Sequence, residues 1–476
     1  MFFTEMRTYK FLSRVITSTS WAQRLRFLEK IKLLRHIHNA VKVIFLPEFI
    51  KVIEAFSRNP GEQVKLRGWI HRKFHVGKKI FIWLRDSSGY IQCVIEEERV
   101  GEKIFNSFER AKRESSVKLE GTIREDSRAP GGKEVETITG EVVSYSEDFP
   151  IKGGEGVEFL LDNRHLWLRS TQLTAIMKIK HTIMNLLREY YINDGWFETT
   201  PPIFTSSAVE GGATLFKVDY FGEPVYLSQS AQFYLEVLIY SLEKVFSITP
   251  SFRAERSRTR RHLSEYYHFE VEAAWMDMEE LMKVTENSIE YVIQGVIDER
   301  QKELELLKRD IEPLKKVKAP FPKITYTEAI EILKKNGVQI NWGDDYGADE
   351  EAILTKSFDT PFFVTHFPRS IKPFYMKVSE DDTRVVKGFD LLAPEGYGEI
   401  IGGSQREDIY ETLLSRIQEQ SLDPKDYYWY LDLRKYGSVP HSGYGLGIER
   451  VTMWVAGLEH IRDAIPFPRF RDRTKP

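Results

Sequence analysis

The 476-residue chain is predicted to be an α+β protein, with a small β-barrel ahead of a larger antiparallel sheet flanked by helices. Three observations predict it. Residues 62–147 alternate apolar and polar side chains at period two, in short runs separated by turns. After Phe149-Pro150-Ile151-Lys152-Gly153-Gly154 the period becomes helical. Two later segments, Phe252-Arg253-Ala254-Glu255 and Gly443-Tyr444-Gly445-Leu446-Gly447-Ile448-Glu449-Arg450, read as strands that carry functional side chains on one face.

Composition sets the outer bounds. Hydrophobic residues make up 42% and charged residues 29%, as in an ordinary globular chain long enough for two or three cores. A net charge of −3 shows no global basic excess, so a nucleic-acid reader of this composition must gather its positive charge in patches. Cys93 is the single cysteine, which excludes an internal disulfide framework and a cysteine-based zinc cluster. No run of about 18 apolar residues predicts a membrane span.

Taken in order, residues 1–49 carry nine Lys or Arg against Glu5, Glu29 and Glu48, and read as a basic extension of partly amphipathic helix. Arg7, Arg14, Arg24 and Arg26 among Ser and Thr suit a transit peptide for an organelle; an RNA-binding arm or a misplaced start codon suits them equally. Residues 50–148 form the barrel domain. Its strands include Val64–Ile70, Ile80–Leu84 and Ile91–Ile95, with turns at Asp86-Ser87-Ser88-Gly89 and Ala129-Pro130-Gly131-Gly132. Cys93 falls at an inward position. Residues 149–168 are a hinge, and residues 169–476 the larger domain. Its first helix is predicted over Arg169–Asn193, with apolar positions at 173, 176, 179/180, 183, 186/187 and 190/191. A second long helix, solvated on its Glu- and Lys-rich face, is predicted over 278–318.

The arginine-bearing strands point to chemistry. Arg253 and Glu255 share a strand face, and the loop beyond them delivers Arg256, Arg258, Arg260, Arg261 and His262. A guanidinium fork suits phosphate oxygens. A glycine-spaced strand ending at Arg450 lets a flat ligand approach the backbone. Together they predict an ATP site on antiparallel strands. A dinucleotide fingerprint is excluded, because Arg450 stands where the third glycine should be and no βαβ unit follows. His36-Ile37-His38 has no metal-site spacing, and His71, His75, His165 and His181 read as structural.

These segments resemble the class II aminoacyl-tRNA synthetases. Phe252–Glu255 with Arg261-His262-Leu263-Ser264-Glu265-Tyr266 is similar to motif 2, Gly445–Arg450 to motif 3, and Gly195-Trp196-Phe197-Glu198-Thr199-Thr200-Pro201-Pro202 to motif 1. Glu210-Gly211-Gly212-Ala213, Gln229–Tyr234 and Glu399–Arg406 resemble the aspartate/asparagine subgroup, and all six occur in the family's order. The resemblance implies an OB-fold anticodon-binding barrel, a class II catalytic domain and a homodimer paired through motif 1. ATP, an amino acid and tRNA are the implied substrates, with Mg2+ as cofactor, in the cytoplasm.

The resemblance also implies roles. Arg253 contacts the α-phosphate and the amino-acid carboxylate, Glu255 the adenine side, and Arg261 and His262 the γ-phosphate; Tyr266 stacks on adenine and Arg450 closes over it. Leu263, Gly447, Ile448 and Glu449 complete the ATP set. Glu399 binds magnesium, with Gly402 at the second metal position, where aspartate-specific members often have serine. Glu210, Gln232, Leu235, Glu270 and Arg406 form the amino-acid pocket. Aspartate-specific relatives place a lysine where Leu235 stands and an aspartate where Glu270 stands, so the pocket favours asparagine: Glu270 accepts from a carboxamide NH2 and Arg406 donates to its oxygen. Phe81 and Gln92, eleven residues apart, match the residues that stack on and hydrogen-bond the central anticodon base. The rivals are an aspartate-activating enzyme, an asparagine synthetase derived from this domain, and a non-enzymatic RNA-binding paralogue. The barrel argues against the second, and intact Arg253, Glu399 and Arg450 against the third.

Overall fold

The computed structural model describes residues 48–206, 215–255 and 259–476. The basic extension up to residue 47, Glu210 with its glycine pair, and Arg256 and Arg258 lie outside the described residues. The chain divides into two units between Gly153 and Gly154. Among the described residues no helix is long and apolar enough to cross a membrane.

In the first unit, β1 (Gln63–Val76), β2 (Lys79–Arg85), β3 (Tyr90–Glu96), β4 (Ser116–Glu125) and β5 (Lys133–Ser144) close into a barrel in the order β1-β2-β3-β5-β4. The period-two pattern produces it directly. Ile80, Ile82, Leu84, Ile91, Cys93 and Ile95 all point inward, and α1 (Glu102–Arg110) adds Phe105 and Phe108 to the core. Burial in this apolar interior pushes the Cys93 thiol well above its ordinary value, so it behaves as a small hydrophobe.

The second unit is built on an eight-stranded, mainly antiparallel sheet. Two short helices, Val157–Asp162 and Arg164–Trp167, lie within the hinge expected at 149–168. Next comes α2 (Thr171–Asn193), begun by the Ser170 hydroxyl accepting from Leu173 N–H at 3.3 Å. Leu173, Ile176, Ile179, Ile183, Leu186, Leu187 and Tyr191 form its buried stripe, as the period predicts, each worth about 1.5–3 kcal/mol of apolar burial. The strands are β6 (Phe197–Glu198), β10 (Lys244–Phe252), β11 (Glu265–Ala274), β12 (Lys323–Thr325), β13 (Phe362–Thr365), β14 (Gly388–Ala393), β15 (Gly398–Gln405) and β16 (His441–Gly447), ordered β12-β13-β14-β15-β16-β11-β10-β6. A separate three-stranded sheet holds β7 (Phe204–Thr205), β8 (Lys217–Tyr220) and β9 (Glu223–Leu227). Helix α3 (Gln232–Leu242) precedes β10.

The single helix expected over 278–318 is divided. Helix α4 (Met278–Glu299) ends at Arg300, Gln301–Leu306 forms a second helix, and Lys308 turns the chain at a positive φ of 56°. Its inner face is core, since Leu281, Met282, Ile289, Val292, Ile293 and Val296 pack with α2 and the sheet. The last helix, α5 (Ile448–Val455), follows β16 directly and is buried along most of its length.

Candidate active site

Strand register assembles the site. Glu270 of β11 stands opposite Gly445 of β16, Gly445 opposite Gly402 of β15, and Gly402 opposite Asp390 of β14. One row of four strands therefore carries two carboxylates separated by two residues without side chains. The next row pairs Glu272 with Gly443 and Gly443 with Ser404. Alternation sends Phe269, Val271, Tyr444 and Leu446 to the core beneath, so Gly443, Gly445 and Gly447 face the opposite side. At Gly443 and Gly445 glycine is required by space. A Cβ at Gly443 would lie 2.0 Å from Glu272 Oε2, and one at Gly445 would lie 2.5 Å from His268 Nε2.

Two adjoining cavities lie over this floor. The smaller, of about 70 Å³, is bounded by Arg261, His262, Leu263, Tyr266, Gly447 and Arg450. The larger, of about 510 Å³, is bounded by Gln232, Glu270, Glu272, Lys372, Asp390 and Arg406 among others. Arg253, His268, Glu399 and Gly445 line both, so Arg253 stands at the junction. The Arg253 N–H donates to Ser264 O at 3.0 Å, extending the β10–β11 pairing by one residue, and its guanidinium carbon lies 5.8 Å from the Tyr266 ring centroid. Glu255 is not among the residues bounding either cavity; it lies 3.9 Å from both Arg253 Nη1 and His262 Nε2. Burial, with Arg450 close by, pulls the His262 imidazole below its ordinary value.

Glu399, paired with Leu392, is turned into the cleft by a bulge, where β15 holds one extra residue, Ile400, before Ile401 pairs with Leu391. Its carboxylate accepts from Arg450 Nη1 at 2.8 Å, and its carbonyl accepts from Arg261 Nη2 at 3.1 Å. Burial alone would raise this carboxyl, but Arg450 outweighs it and brings it down to about 2. Asp390, 3.0 Å from Lys372 Nζ, is the opposite case: burial and the nearby Glu399 charge hold it above the usual carboxylate range in spite of the lysine. A Cβ at Gly402 would sit 3.3 Å from Glu399 Oε1 and 3.6 Å from Asp390 Oδ1. Bare backbone between two carboxylates is a donor set of the kind magnesium takes.

At the other end Glu270, almost fully buried, accepts from the Ser230 hydroxyl and from Ala231 N–H at 2.8 Å. Arg406 makes a bidentate pair with Glu272 at 2.8 and 2.9 Å. Gln232 donates to Glu236 at 2.9 Å.

Three expected site residues are placed otherwise. Leu235 does not line the cleft: its side chain is fully buried with Ala231, Ile239 and Val245 in a small apolar cluster, because on helix α3 it falls on the face turned toward β10. Ile448 is buried in the main core, since the first turn of α5 rotates it away from Gly447. Glu449 borders the smaller cavity, but its carboxylate is occupied by Lys180 and by Tyr267 N–H at 2.9 Å. Asp390, Lys372, Glu351 and Glu272 were not anticipated. A lone carboxylate in Phe389-Asp390-Leu391-Leu392, and a second one two residues after Glu270, were the available signals. Glu351 acts at a distance in sequence, accepting from Arg261 Nη1 at 2.7 Å and Glu399 N–H at 2.8 Å.

In the first unit Phe81 and Gln92 lie on the same outer barrel face. Gln92 pairs with Trp83, the next outward residue after Phe81, and donates to Glu134 at 2.7 Å. Phe74 is paired with Phe81, Trp83 stacks on Tyr90 at 5.3 Å, and Arg72 lies 4.8 Å over Trp83, so the face is an aromatic platform with an adjacent cation.

Residues 156–471 match the family model described as tRNA synthetases class II (D, K and N), and residues 64–153 match that of the OB-fold nucleic acid binding domain. The asparagine–tRNA ligase of Pyrococcus furiosus is 55% identical over 419 residues, 87% of this chain and 96% of that protein. The crystal structure of asparaginyl-tRNA synthetase from Pyrococcus horikoshii complexed with asparaginyl-adenylate superposes with a TM-score of 0.88 at 53% identity, covering 90% of this chain and 99% of that one. The Entamoeba histolytica asparaginyl-tRNA synthetase in complex with asparaginyl-adenylate gives 0.81 at 33% identity, covering 88% and 98%.

Proposed function

Since the chain belongs to the class II tRNA synthetases of the D, K and N group, we propose that its cleft joins asparagine to ATP and passes the asparaginyl group to tRNA. The observation that carries the choice of amino acid is the far end of the larger cavity. There a carboxylate, Glu270, is held by Ser230 and Ala231 to accept from an amide NH2, while the guanidinium of Arg406 is already balanced by Glu272. A neutral side chain suits that pocket; a carboxylate does not.

In the first step an oxygen of the asparagine carboxylate attacks the α-phosphorus and pyrophosphate leaves. The nucleophile is ionised at neutral pH, so the protein's task is positioning and charge neutralisation rather than proton removal. Arg253, at the junction of the cavities, reaches both the carboxylate and the α-phosphate. Tyr266 and Arg450 enclose the adenine, and Arg261 and His262 meet the outer phosphates. Glu399 and Asp390 beside Gly402 would hold magnesium, which supplies charge neutralisation at the phosphates when bound. In the second step the terminal ribose hydroxyl of tRNA attacks the asparaginyl carbonyl carbon, and AMP leaves. ATP–pyrophosphate exchange with each amino acid tests the reading: asparagine should support exchange and aspartate should not. Exchange with aspartate alone would overturn it.

The barrel face is proposed to bind the anticodon through Phe81 and Gln92. Phe81→Ala should remove a stacking contact worth about 1–3 kcal/mol, weakening tRNA charging while leaving asparagine-dependent exchange unaltered. Normal charging by this variant would take Phe81 out of the recognition surface.

The working form is proposed to be a two-fold dimer in the cytoplasm. β6 is the last strand of its sheet, and Ile192, Phe197, Phe204, Tyr220 and Phe221 are exposed apolar residues near it in sequence. Light scattering should give twice the 55.7 kDa chain mass; a fully active monomer would refute it.

A further inference from the structure

Behind the amino-acid end of the cleft lies a closed group of charges with no part in the reaction steps above. Glu236 on α3 is fully buried. Its carboxylate accepts from Arg434 Nη2 at 2.8 Å, from the Tyr430 hydroxyl at 2.8 and 2.9 Å and from Gln232 Nε2 at 2.9 Å. It also faces His441 Nε2 at 3.0 Å and Arg406 Nε at 4.0 Å. Gln232, Glu272 and Arg406 line the cavity, so Glu236 touches two of its walls from behind.

His441 decides the charge of this group. Its Nδ1 lies 2.7 Å from the Val439 carbonyl oxygen, which only accepts, so Nδ1 carries a hydrogen. Its Nε2 lies nearer Glu236 Oε2 at 3.0 Å than Arg434 Nη2 at 3.4 Å. Two lone pairs would repel at that separation, so a proton sits between imidazole and carboxylate. With it, Arg406, Arg434 and His441 stand against Glu236, Glu272 and Glu270, and the six charges cancel. Glu236, Glu272 and His441 are also close enough together to bind a metal ion. The two guanidiniums already bond the same carboxylate oxygens, which leaves a cation no place.

We propose that Glu236 is a positioning and specificity-determining residue. It fixes Gln232 from behind, steadies Arg406 together with Glu272, and keeps this group of six charges at the amino-acid end balanced. A carboxamide then enters without cost, whereas a carboxylate adds one uncompensated buried charge. This inference rests on the asparagine activity proposed above.

Glu236→Gln keeps the shape and removes one negative charge, leaving a surplus positive charge that aspartate would balance. In pyrophosphate exchange the asparagine KM should rise at least fivefold with kcat nearly unchanged, and the aspartate-to-asparagine ratio of kcat/KM should rise at least tenfold. Adding His441→Gln removes one charge of the opposite sign and should return that ratio to within threefold of wild type. A purely structural carboxylate would depress both amino acids alike, and the double variant would be worse than the single. A folded Glu236→Gln enzyme with the wild-type ratio, or a double variant no nearer wild type, overturns the proposal. Should Glu236→Gln fail to fold, His441→Gln decides: its surplus negative charge should raise the inhibition constant of aspartate against asparagine at least fivefold, and an unchanged constant overturns the proposal. A wild-type chain active with aspartate alone overturns the asparagine activity and this inference together, whereas an asparagine-specific wild type with an unmoved variant ratio overturns this inference alone.

Discussion

Arg253→Ala is expected to lower asparagine-dependent pyrophosphate exchange at least a thousandfold while leaving the protein folded. The side chain is partly exposed, lies outside the apolar core and packs over the Tyr266 ring and toward Glu255, so its removal opens no large cavity. Its position at the meeting of the two cavities brings it to both reacting groups. Removing one preorganised donor from a developing charge costs on the order of a hundred- to a thousandfold, and Arg253 serves two ligands. Arg253→Lys keeps the charge but loses the planar fork, and should recover less than a tenth of the activity. Thermal melting within about 2 °C of wild type would show that the loss is chemical. Exchange within tenfold of wild type in the alanine variant would remove Arg253 from the proposed role.

Leu235→Lys should destabilise the fold rather than alter substrate choice. The side chain is fully buried among Ala231, Ile239 and Val245, so an ammonium there meets apolar neighbours. An uncompensated buried charge costs about 4 kcal/mol, equivalent to a fall in melting temperature of about 10 °C for a unit of this size. Leu235→Met, of nearly equal volume, should lose under about 1.5 kcal/mol and retain asparagine activation. A Leu235→Lys protein with the wild-type melting temperature and a raised asparagine KM would instead put position 235 in the pocket. The contrast with lysine-bearing relatives is thus a difference in how the helix face is used, and the case for asparagine moves to Glu270 and the balanced Arg406.

The architecture was legible because each part rests on a local period. Alternation along Ile80–Leu84 and Ile91–Ile95 dictates the barrel interior, and the stripe from Leu173 to Tyr191 dictates the first helix of the larger domain. The arginines and glycines of the two strands proposed to bind ATP were equally visible, because few other roles require that residue combination. What stayed hidden depends on register. Asp390 joins Glu399 only because β14 pairs with β15 through a bulge, and Glu351 reaches Arg261 from a helix ninety residues away. Leu235 and Ile448 were misplaced for a related reason: a motif specifies the order of residues, whereas the rotation of a helix about its axis is set by the core it packs on. The break at Arg300 and Lys308 was missed because a run rich in Glu and Lys reads as continuous helix whether or not the backbone turns within it.

The row of glycines on β16 has a consequence for inhibition. The surface nearest both reactants is main chain, and any side chain introduced at Gly443 or Gly445 would collide with Glu272 or His268. One route to drug resistance is exchange of a contact residue for a bulkier one. A compound whose flat portion rests on Gly443 and Gly445 offers the target little opportunity of that kind, whereas one held mainly by the wall at Gln232 leaves an escape route open. Selection experiments under such compounds should therefore yield substitutions at the cleft rim and none in its floor.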